Sequence, residues 1–574
     1  MTLAAIVAAA CLLGGAGRTA DVRYLDLMEA AVSAYSDGHL RDFVEATERD
    51  GVQEHGFPRL ASNLGVLVAH GRLTEKKDLL KRMMTVCCRD AAKGKMPPKS
   101  GGNEFSVKEL TLALVALERS GTFGKDVTDV WRADLAAVDA KRCYTKLPKA
   151  NASAAGNWPI FGCASEQTRL MHGLGGDPAH VEQYVADQLR WFDEQGMYRD
   201  PHQPAVYDFV TRLQFAHVLS AGYDGPSRPR LEALMDRSAE PTLAMLSACG
   251  EIPFGGRSNQ FLHNHTFYAA LCEWYAARFA ARGDAGQSRR FRQAAARAVE
   301  ALRPWLAERP VSHVKNRYPR ETGKGVYSAV ADMGCERYAY FDKYMVTMGS
   351  WAMSALLFGS DEAPAAEDPA DAAPSVFVTS PDFHWVFLSA GDYSAQFDWD
   401  ANPEYDATGL GRLQRRGAPA AICLSTPCAR RPNYRREIPD GEALAIAPVV
   451  PDGTAMRLET RFVDATSAHA DWKLGDLTWK CALDAGGLSS VLKGPGELAL
   501  VLPAFEFDGR VATEVRCDGR TLTVAYGGWV CRTVAENGTI AATDVRTANR
   551  NGRYRRYEAR GVKSLKVTIQ IERK

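Results

Sequence analysis

The chain has 574 residues, which is too long for one ordinary hydrophobic core and predicts two or three domains, or one large helical domain with a smaller partner. Hydrophobic residues make up 46% of the chain and charged residues 24%, a balance that excludes a disordered protein. The formal net charge is only +1, so the overall charge does not favour nucleic acid as a partner.

The first residues, "MTLAAIVAAACLLGGAG", form an uncharged apolar run that ends in small residues. This pattern is typical of a secretory signal peptide, and the run is shorter than the roughly 20 residues that a membrane span needs. We therefore predict a signal peptide over residues 1–20, cleaved near Ala16 or Ala20, and a secreted or periplasmic protein without a membrane span. A lipoprotein anchor on Cys11 is less favoured, because Ala8 stands where a larger aliphatic residue is usual.

Residues 21–358 carry a helical pattern. Segments such as "VEQYVADQLRWFDEQG" and "RFRQAAARAVEALRPWLAER" place apolar residues three and four positions apart and end at Gly or Pro. Roughly a dozen such segments predict helical hairpins closed into an (α/α) toroid. An open stack of hairpins fits the same count, although no repeat of fixed period supports it.

Residues 359–375, "GSDEAPAAEDPADAAPS", replace the periodic pattern with Ala, Pro and acidic residues, and we predict a linker there. Residues 376–574 then show short β-branched and aromatic runs separated by turn residues, which predicts an antiparallel β-sandwich. The predicted fold class is therefore multidomain α + β, a helical toroid followed by a β-sandwich.

The cysteines that follow the leader show no paired C-x-x-C spacing, so the sequence predicts no structural zinc site. We expect mostly free, buried thiols, with disulfides as the second option in an exported protein. Neither a metal nor a cofactor is part of the prediction.

The segment "FLHNHTFYAALCEWYAARFA" brings a polar cluster to the start of a long apolar helix. Asn264 is placed to accept a backbone hydrogen bond as a helix N-cap, a role that needs nothing from His265. The later segment "ERYAYFDKYM" predicts a helix on which Arg337, Tyr340 and Tyr344 share one face. A guanidinium beside a tyrosine favours the phenolate, so this face is a candidate for acid–base chemistry.

The motif "HNHTFY" resembles the "NNHG-x-x-Y" signature of toroidal alginate lyases, and the domain order is similar to that of heparinase II/III-like polysaccharide lyases. The resemblance implies β-elimination from a uronic-acid-containing glycan, which needs a neutralised carboxylate, a base and an acid. It implies that Asn264 neutralises the carboxylate and that His265 is the base or a carboxylate ligand. Tyr340 would be the general acid or base, and Arg337 would support the charge on the enolate.

The motif departs from the signature, because one Asn rather than two precedes His265 and no Gly follows it. Tyr338 or Tyr344 also remains an alternative to Tyr340. Further aromatic and charged residues are expected to line the cleft, since aromatic rings stack on sugars and charged groups hold hydroxyls and carboxylates. These predicted substrate-binding residues are Trp158, Glu166, Arg169, Tyr207, Asp208, Arg212, Tyr344, His384 and Tyr405.

Two other functions stay open. A glycoside hydrolase on the same fold, similar to the uronidases of glycoside hydrolase family 154, needs one protonated and one ionised carboxyl group. The acids that could supply them are Glu166, Asp208, Glu321, Asp332 and Glu336. A non-catalytic glycan-binding protein would keep the aromatic cleft without needing the Asn-His and Arg-Tyr groups.

Overall fold

The computed structural model describes residues 19–94, 102–144, 154–318, 338–359, 373–430 and 441–574. The helices in these ranges are α1 Thr19–Ser33, α2 Asp37–Asp50, α3 Gly56–Ala69, α4 Lys77–Lys93, α5 Val107–Ser120, α6 Lys125–Ala136, α7 Ala140–Cys143, α8 Trp158–Met171, α9 Pro178–Gln188, α10 Ala205–Ser220, α11 Arg228–Arg237, α12 Ala239–Ala244, α13 Leu262–Ala281, α14 Ala285–Glu300, α15 Arg303–Ala307 and α16 Phe341–Phe358. The strands are β1 Ser375–Val378, β2 Trp385–Ala390, β3 Tyr393–Asp398, β4 Gly409–Arg415, β5 Ala447–Pro448, β6 Met456–Val463, β7 Ala468–Leu474, β8 Leu477–Asp484, β9 Gly487–Phe507, β10 Glu514–Cys517, β11 Thr521–Tyr526, β12 Trp529–Ala535, β13 Thr539–Asn549 and β14 Gly552–Arg573.

Six of the described helices form a closed inner ring in the order α3, α5, α8, α10, α13 and α16. Each packs against the next, and α16 packs back against α3. One further helix packs on the outside of each ring member, in the same order α4, α6, α9, α11, α14 and α1. The described helices therefore form the predicted (α/α) toroid, and the closure of the ring excludes the open stack of hairpins.

The ring closes through a tight contact between its first and last helices. Asn63 of α3 donates from Nδ2 to the carbonyl of Val346 in α16, over 2.9 Å. Gly349, one turn further along α16, lies so close to the Asn63 side chain that an added Cβ would approach it to 2.8 Å. A small residue is required there because a larger one would separate the two helices.

The C-terminal strands form two antiparallel sheets that pack face to face. One sheet has the order β1-β2-β3-β4, and the other runs β10-β11-β12-β14-β9-β8-β7-β6, with β13 beside β14 and β5 beside β9. Phe397 of the first sheet packs between Trp472 and Trp479 of the second, at ring-centroid distances of 5.2 and 5.6 Å. These strands confirm the predicted β-sandwich.

The predicted linker and the predicted signal peptide lie largely outside the described residues. Helix α16 ends at Phe358 and strand β1 begins at Ser375, while residues 360–372 of the predicted linker lie outside the described residues. The predicted signal peptide also lies outside them, except for Thr19 and Ala20 at the start of α1. The cysteines within the described ranges are free thiols. No helix in the described part of the chain is long and apolar enough to cross a membrane.

The four-stranded sheet contacts the ring at the loop that leads into α13. Gln396 of β3 accepts a hydrogen bond from the N–H of Phe254 over 3.1 Å and donates to the carbonyl of Phe254 over 2.8 Å. The Trp385 indole occupies the space that a Cβ on Gly255 would need, and Gly255 has a φ of +147°. The β-domain thus fixes the backbone of this loop from the outside.

Candidate active site

A cavity of about 460 Å³ lies where the inner helices begin. Every member of the inner ring contributes a lining residue from its first four positions or from the two residues before it, namely Arg59, Phe105, Trp158, Tyr207, Asn264 and Tyr344. The positive ends of six helix dipoles therefore surround one space. Such an arrangement favours a bound anion.

Aromatic rings form much of the cavity wall. Trp158 packs edge-on against Phe105 with ring centroids 4.6 Å apart, and His55 stacks on Phe105 at 5.2 Å. Tyr344 contributes a further ring, 5.2 Å from His263. Flat, partly apolar surfaces of this kind are suited to contact with sugar rings.

The loop before α13 carries a serine that joins two tyrosine hydroxyls. Ser258 and Gln260 have φ values of +65° and +61°, a conformation that costs a non-glycine residue about 1–3 kcal/mol and persists only when neighbours enforce it. Asn264 enforces it in part by donating from Nδ2 to the Ser258 carbonyl over 2.9 Å. The Ser258 Oγ then lies 3.2 Å from the Tyr207 hydroxyl and 2.6 Å from the Tyr338 hydroxyl.

A guanidinium covers one of these tyrosines. The Arg257 Cζ lies 4.3 Å from the Tyr207 ring centroid, and the same side chain forms an ion pair with Asp200. Burial alone would lower the pKa of Arg257, but the neighbouring Tyr207 and Asp200 raise it above its ordinary value. The same attraction stabilises a negative charge on the Tyr207 oxygen.

Four cavity-lining side chains keep a buried polar atom without a hydrogen-bond partner among the described groups. These atoms are Nε of Arg59, Oδ1 of Asn157, Nδ1 of His263 and Oδ1 of Asn264. The amide of Asn264 cannot be reversed, because its Nδ2 must face the Ser258 carbonyl. Buried polar atoms are nearly always satisfied in proteins, so four unmatched atoms in one cavity indicate a place for a ligand or water.

The His263 ring is neutral near pH 7. Burial, together with the nearby Arg59 and His313, lowers its pKa well below the ordinary histidine value. A neutral imidazole with a free Nδ1 can hydrogen-bond a ligand as donor or acceptor, according to its tautomer.

Four of the residues predicted from the sequence line this cavity: Asn264, Trp158, Tyr207 and Tyr344. Tyr338, one of the alternatives to Tyr340, lines it too. Asn264 is not the N-cap, as the sequence pattern had suggested, since α13 begins at Leu262 with Phe261 in the N-cap position. Its side chain bonds the preceding loop instead of the helix backbone.

His265 lies away from the cavity and is fully buried. Its Nδ1 donates to the Ala298 carbonyl over 3.0 Å, so in the neutral ring Nε2 is the acceptor for Lys315 Nζ, 2.9 Å away. Glu251 completes the group by pairing with Lys315. Both ring nitrogens are occupied, which leaves none for substrate and corrects the expectation that His265 meets the carboxylate.

The polar pairs on α8 and α10 are also buried away from the cavity. Glu166 and Arg169 form an ion pair over 2.6 Å with side chains only 1% exposed, and Arg169 donates to several backbone carbonyls. Asp208 and Arg212 form a second pair over 2.5 Å with side chains 0% exposed. The structure therefore places these four residues inside the helix packing, not in the cleft that the sequence suggested.

The helix carrying the predicted Arg–Tyr face is shorter than expected. It begins at Phe341, with Tyr340 in the N-cap position, so Tyr340 and Tyr344 do not share a helical face. Tyr340 does not line the cavity and hydrogen-bonds Glu54, whose pKa burial raises to about 7. Arg337 lies outside the described residues.

The two candidates from the β-domain do not line the cavity. His384 hydrogen-bonds Asp398 through Nδ1 over 2.7 Å; burial would lower its pKa, but Asp398 raises it above the ordinary value. Tyr405 lies in the loop between β3 and β4. Of the other acids considered for hydrolysis, Glu321, Asp332 and Glu336 lie outside the described residues.

Sequence reasoning missed several cavity residues. The residues that were not singled out as site residues are Arg59, Asp200, Arg257, His263 and Lys343. The glycine-bearing stretch "IPFGGRSNQ" was the available signal for Arg257, because paired glycines before a helix often bring backbone close to a ligand. Nothing in the segment "EHGFPRLASN" marks Arg59 as different from a surface arginine.

Asp406 of the β-domain hydrogen-bonds the loop before α13, and it should make the free energy of unfolding depend on pH. Its Oδ2 accepts the N–H of Gly256, while burial and the nearby Asp398 raise its pKa to about 7. Because an unfolded aspartate titrates near 3.9, this raised pKa contributes stability at about pH 4 that is lost as the pH rises through about 7. Asp406→Asn keeps an oxygen for Gly256 and removes the titration.

We expect the free energy of unfolding of Asp406→Asn to fall less than that of the wild type between about pH 4 and pH 8. Denaturant unfolding at a series of pH values measures this slope. Asp476→Asn, in the exposed turn between β7 and β8, is the matched control and should keep the wild-type slope. An Asp406→Asn variant with an unchanged slope would contradict the prediction.

Comparisons with known proteins find likeness in structure. The chain is similar to a crystal structure of heparinase III, with 10% sequence identity and a TM-score of 0.37 over 84% of this chain and 79% of that one. It is similar to a glycosyl hydrolase family 88 protein from Bacteroides vulgatus, with 10% identity and a TM-score of 0.36 over 59% of this chain and 98% of that one. A polysaccharide lyase matches with 10% identity and a TM-score of 0.34, over 59% and 97%. No protein-family model and no curated protein matches the chain.

Proposed function

We propose that the chain is a carbohydrate-active enzyme that cleaves a uronic-acid-containing glycan by β-elimination. The main support is the Tyr207–Ser258–Tyr338 chain of hydroxyls beside Arg257, set in a cavity where six helices begin. Helix N-termini and cations suit an anionic sugar, and aromatic walls suit its ring. Hydroxyls held beside a guanidinium suit proton transfer.

In the proposed reaction Tyr207, as phenolate, takes the proton from C5 of the uronate. The electron pair of the C5–H bond forms the C4=C5 double bond, and the C4–O bond breaks. Tyr338 donates its proton to the leaving oxygen, and Ser258 passes the proton gained by Tyr207 back to Tyr338. Arg257 stabilises the phenolate before the proton is taken. No external proton donor or oxidant is consumed.

The carboxylates of the cavity support elimination over hydrolysis. Glycoside hydrolysis normally needs two carboxyl groups on either side of the bond. Among the described lining residues Asp200 is the one carboxylate, and it is paired with Arg257. Glu54, which has a raised pKa, lies behind the wall and not on the cavity surface.

The test is an assay of the purified protein against a panel of uronic-acid polysaccharides and oligosaccharides. Ultraviolet absorbance of the new C4=C5 double bond is followed alongside the appearance of reducing ends. We expect both signals to rise together. Reducing ends without absorbance would replace the lyase proposal with hydrolysis, and tight binding with neither signal would indicate a binding protein.

The neighbouring histidines His263 and His265 give a matched comparison. His263→Ala should lower kcat/KM by about tenfold or more, because a ligand contact is lost, while its thermal midpoint should fall less than that of His265→Ala. His265→Ala should lower the thermal midpoint, because Lys315 and Glu251 lose a buried partner. Activity assays and thermal melts of both variants measure the contrast, and the reversed pattern would contradict the assignment.

A further inference from the structure

Arg59 is a buried cation in the cavity wall. The residue is 2% exposed, and its guanidinium lies over Trp351, with Cζ 5.3 Å from the ring centroid. Its hydrogen bonds go to neutral oxygens, from Nη1 to Thr347 Oγ1 over 3.0 Å and from Nη2 to the Phe105 carbonyl over 3.4 Å. Among the described residues it forms no ion pair with a carboxylate.

The cations of the cavity wall differ in how their charges are matched. Arg257 is paired with Asp200. Lys343 lies close enough to Glu54 to oppose the rise in the pKa of that carboxyl, which burial causes. A buried guanidinium that forms no ion pair is costly. Burial lowers the pKa of Arg59, although the charges of Glu109 and Glu54 oppose that shift. The cost is offset when an anion binds.

The polar atoms around Arg59 that lack a hydrogen-bond partner indicate the chemical class of the anion. The Nε–H of Arg59 has no partner among the described groups, and the Nε edge of a guanidinium matches a planar carboxylate. His263 lies close enough for Arg59 to lower its pKa, and its free Nδ1 offers a second contact. The Oδ1 of Asn264 is an acceptor and therefore suits a sugar hydroxyl, not the carboxylate.

We propose that Arg59 binds the carboxylate of the substrate, with His263 beside it, and makes the cavity select a uronic acid over the neutral sugar of the same configuration. The inference deepens the proposed function and rests on it. It moves the neutralisation of the carboxylate from Asn264, where the sequence resemblance put it, to the first inner helix.

The test compares binding of the methyl glycosides of uronic acids with binding of their carboxyl-reduced counterparts. Methyl glycosides carry no glycosidic bond at O4, so elimination does not consume them and binding is measured apart from turnover. Calorimetry or saturation-transfer NMR gives the two affinities for the wild type, Arg59→Met and Arg59→Lys. The methionine keeps much of the volume without the charge, and the lysine keeps the charge without the planar edge.

For the wild type we expect the uronate to bind about tenfold or more tightly than the reduced sugar. Arg59→Met should lose this preference while its affinity for the neutral sugar stays within about twofold, and Arg59→Lys should retain only part of it. A purely structural role would lower both affinities together. Should Arg59→Met fail to fold, the lysine variant supplies the same ratio.

Three results would overturn the proposal: a wild type that does not distinguish the two sugars, an Arg59→Met variant that keeps the full preference, and tighter binding of a sulfated neutral sugar than of the uronate. Failure of the elimination assay with an intact uronate preference would reject the proposed reaction and leave the role of Arg59 standing. The two failures are therefore distinguishable.

Discussion

Tyr207→Phe is expected to reduce kcat by about 100-fold or more, because it removes the oxygen that takes the C5 proton in the proposed reaction and leaves the ring in place. The hydrogen bond to Ser258, which Tyr207→Phe loses, lies in the cavity wall, so the thermal midpoint should change little. Tyr338→Phe should reduce kcat by a similar factor, because the leaving oxygen loses its proton donor. Initial rates of double-bond formation measure both effects.

Tyr405→Phe is the matched control, since Tyr405 was a sequence candidate that the structure places away from the cavity. It should keep wild-type kcat and KM. Wild-type turnover by Tyr207→Phe would contradict a role of Tyr207 in the proton transfer. A rise in KM with unchanged kcat would make Tyr207 a binding residue only.

Asp208→Ala is expected to destabilise the helical domain by about 3–5 kcal/mol, because it leaves the Arg212 guanidinium buried without its carboxylate. Both side chains are 0% exposed, and the Asp208 carboxylate also accepts the N–H of Tyr198 over 2.6 Å. The pKa of Arg212 is raised above its ordinary value despite burial, chiefly by Asp208. Thermal and denaturant unfolding measure the loss.

The matched control is Asp129→Ala, which breaks the exposed i,i+4 pair with Lys125 at 3.0 Å and should change stability little. Below its unfolding transition, Asp208→Ala should keep kcat within a few-fold of the wild type. A stable Asp208→Ala protein without turnover would indicate that Asp208 takes part in the reaction, and it would support glycoside hydrolysis by two carboxyl groups.

Local periodicity was enough to predict the helices and strands. The run "RFRQAAARAVEA" forms most of α14 because its apolar residues fall on one helical face, and the β-branched and aromatic runs after the linker form β1 to β3. Closure of the helical ring could not be predicted from local sequence patterns. It depends on Asn63 meeting Val346, residues 283 positions apart, and periodicity carries no information on such a contact.

The site was only partly predictable, for reasons that particular residues illustrate. His263 and His265 stand two positions apart on α13, so their side chains point about 200° apart around the helix, and one faces the cavity while the other faces Lys315. The sequence does not reveal which face meets the ring centre. Glu166 and Arg169 were predicted to hold sugar hydroxyls or carboxylates, although the two residues compensate each other inside the helix packing.

The most direct measurement of the proposed reaction is the mass of both products from a defined uronate tetrasaccharide. Elimination adds no water, so the two product masses should sum to the mass of the substrate, and the fragment with the new non-reducing end should be lighter than its hydrolytic counterpart by one water molecule. Tyr207→Phe should slow the appearance of both fragments together. Products whose masses sum to the substrate plus one water would show hydrolysis and contradict the elimination mechanism.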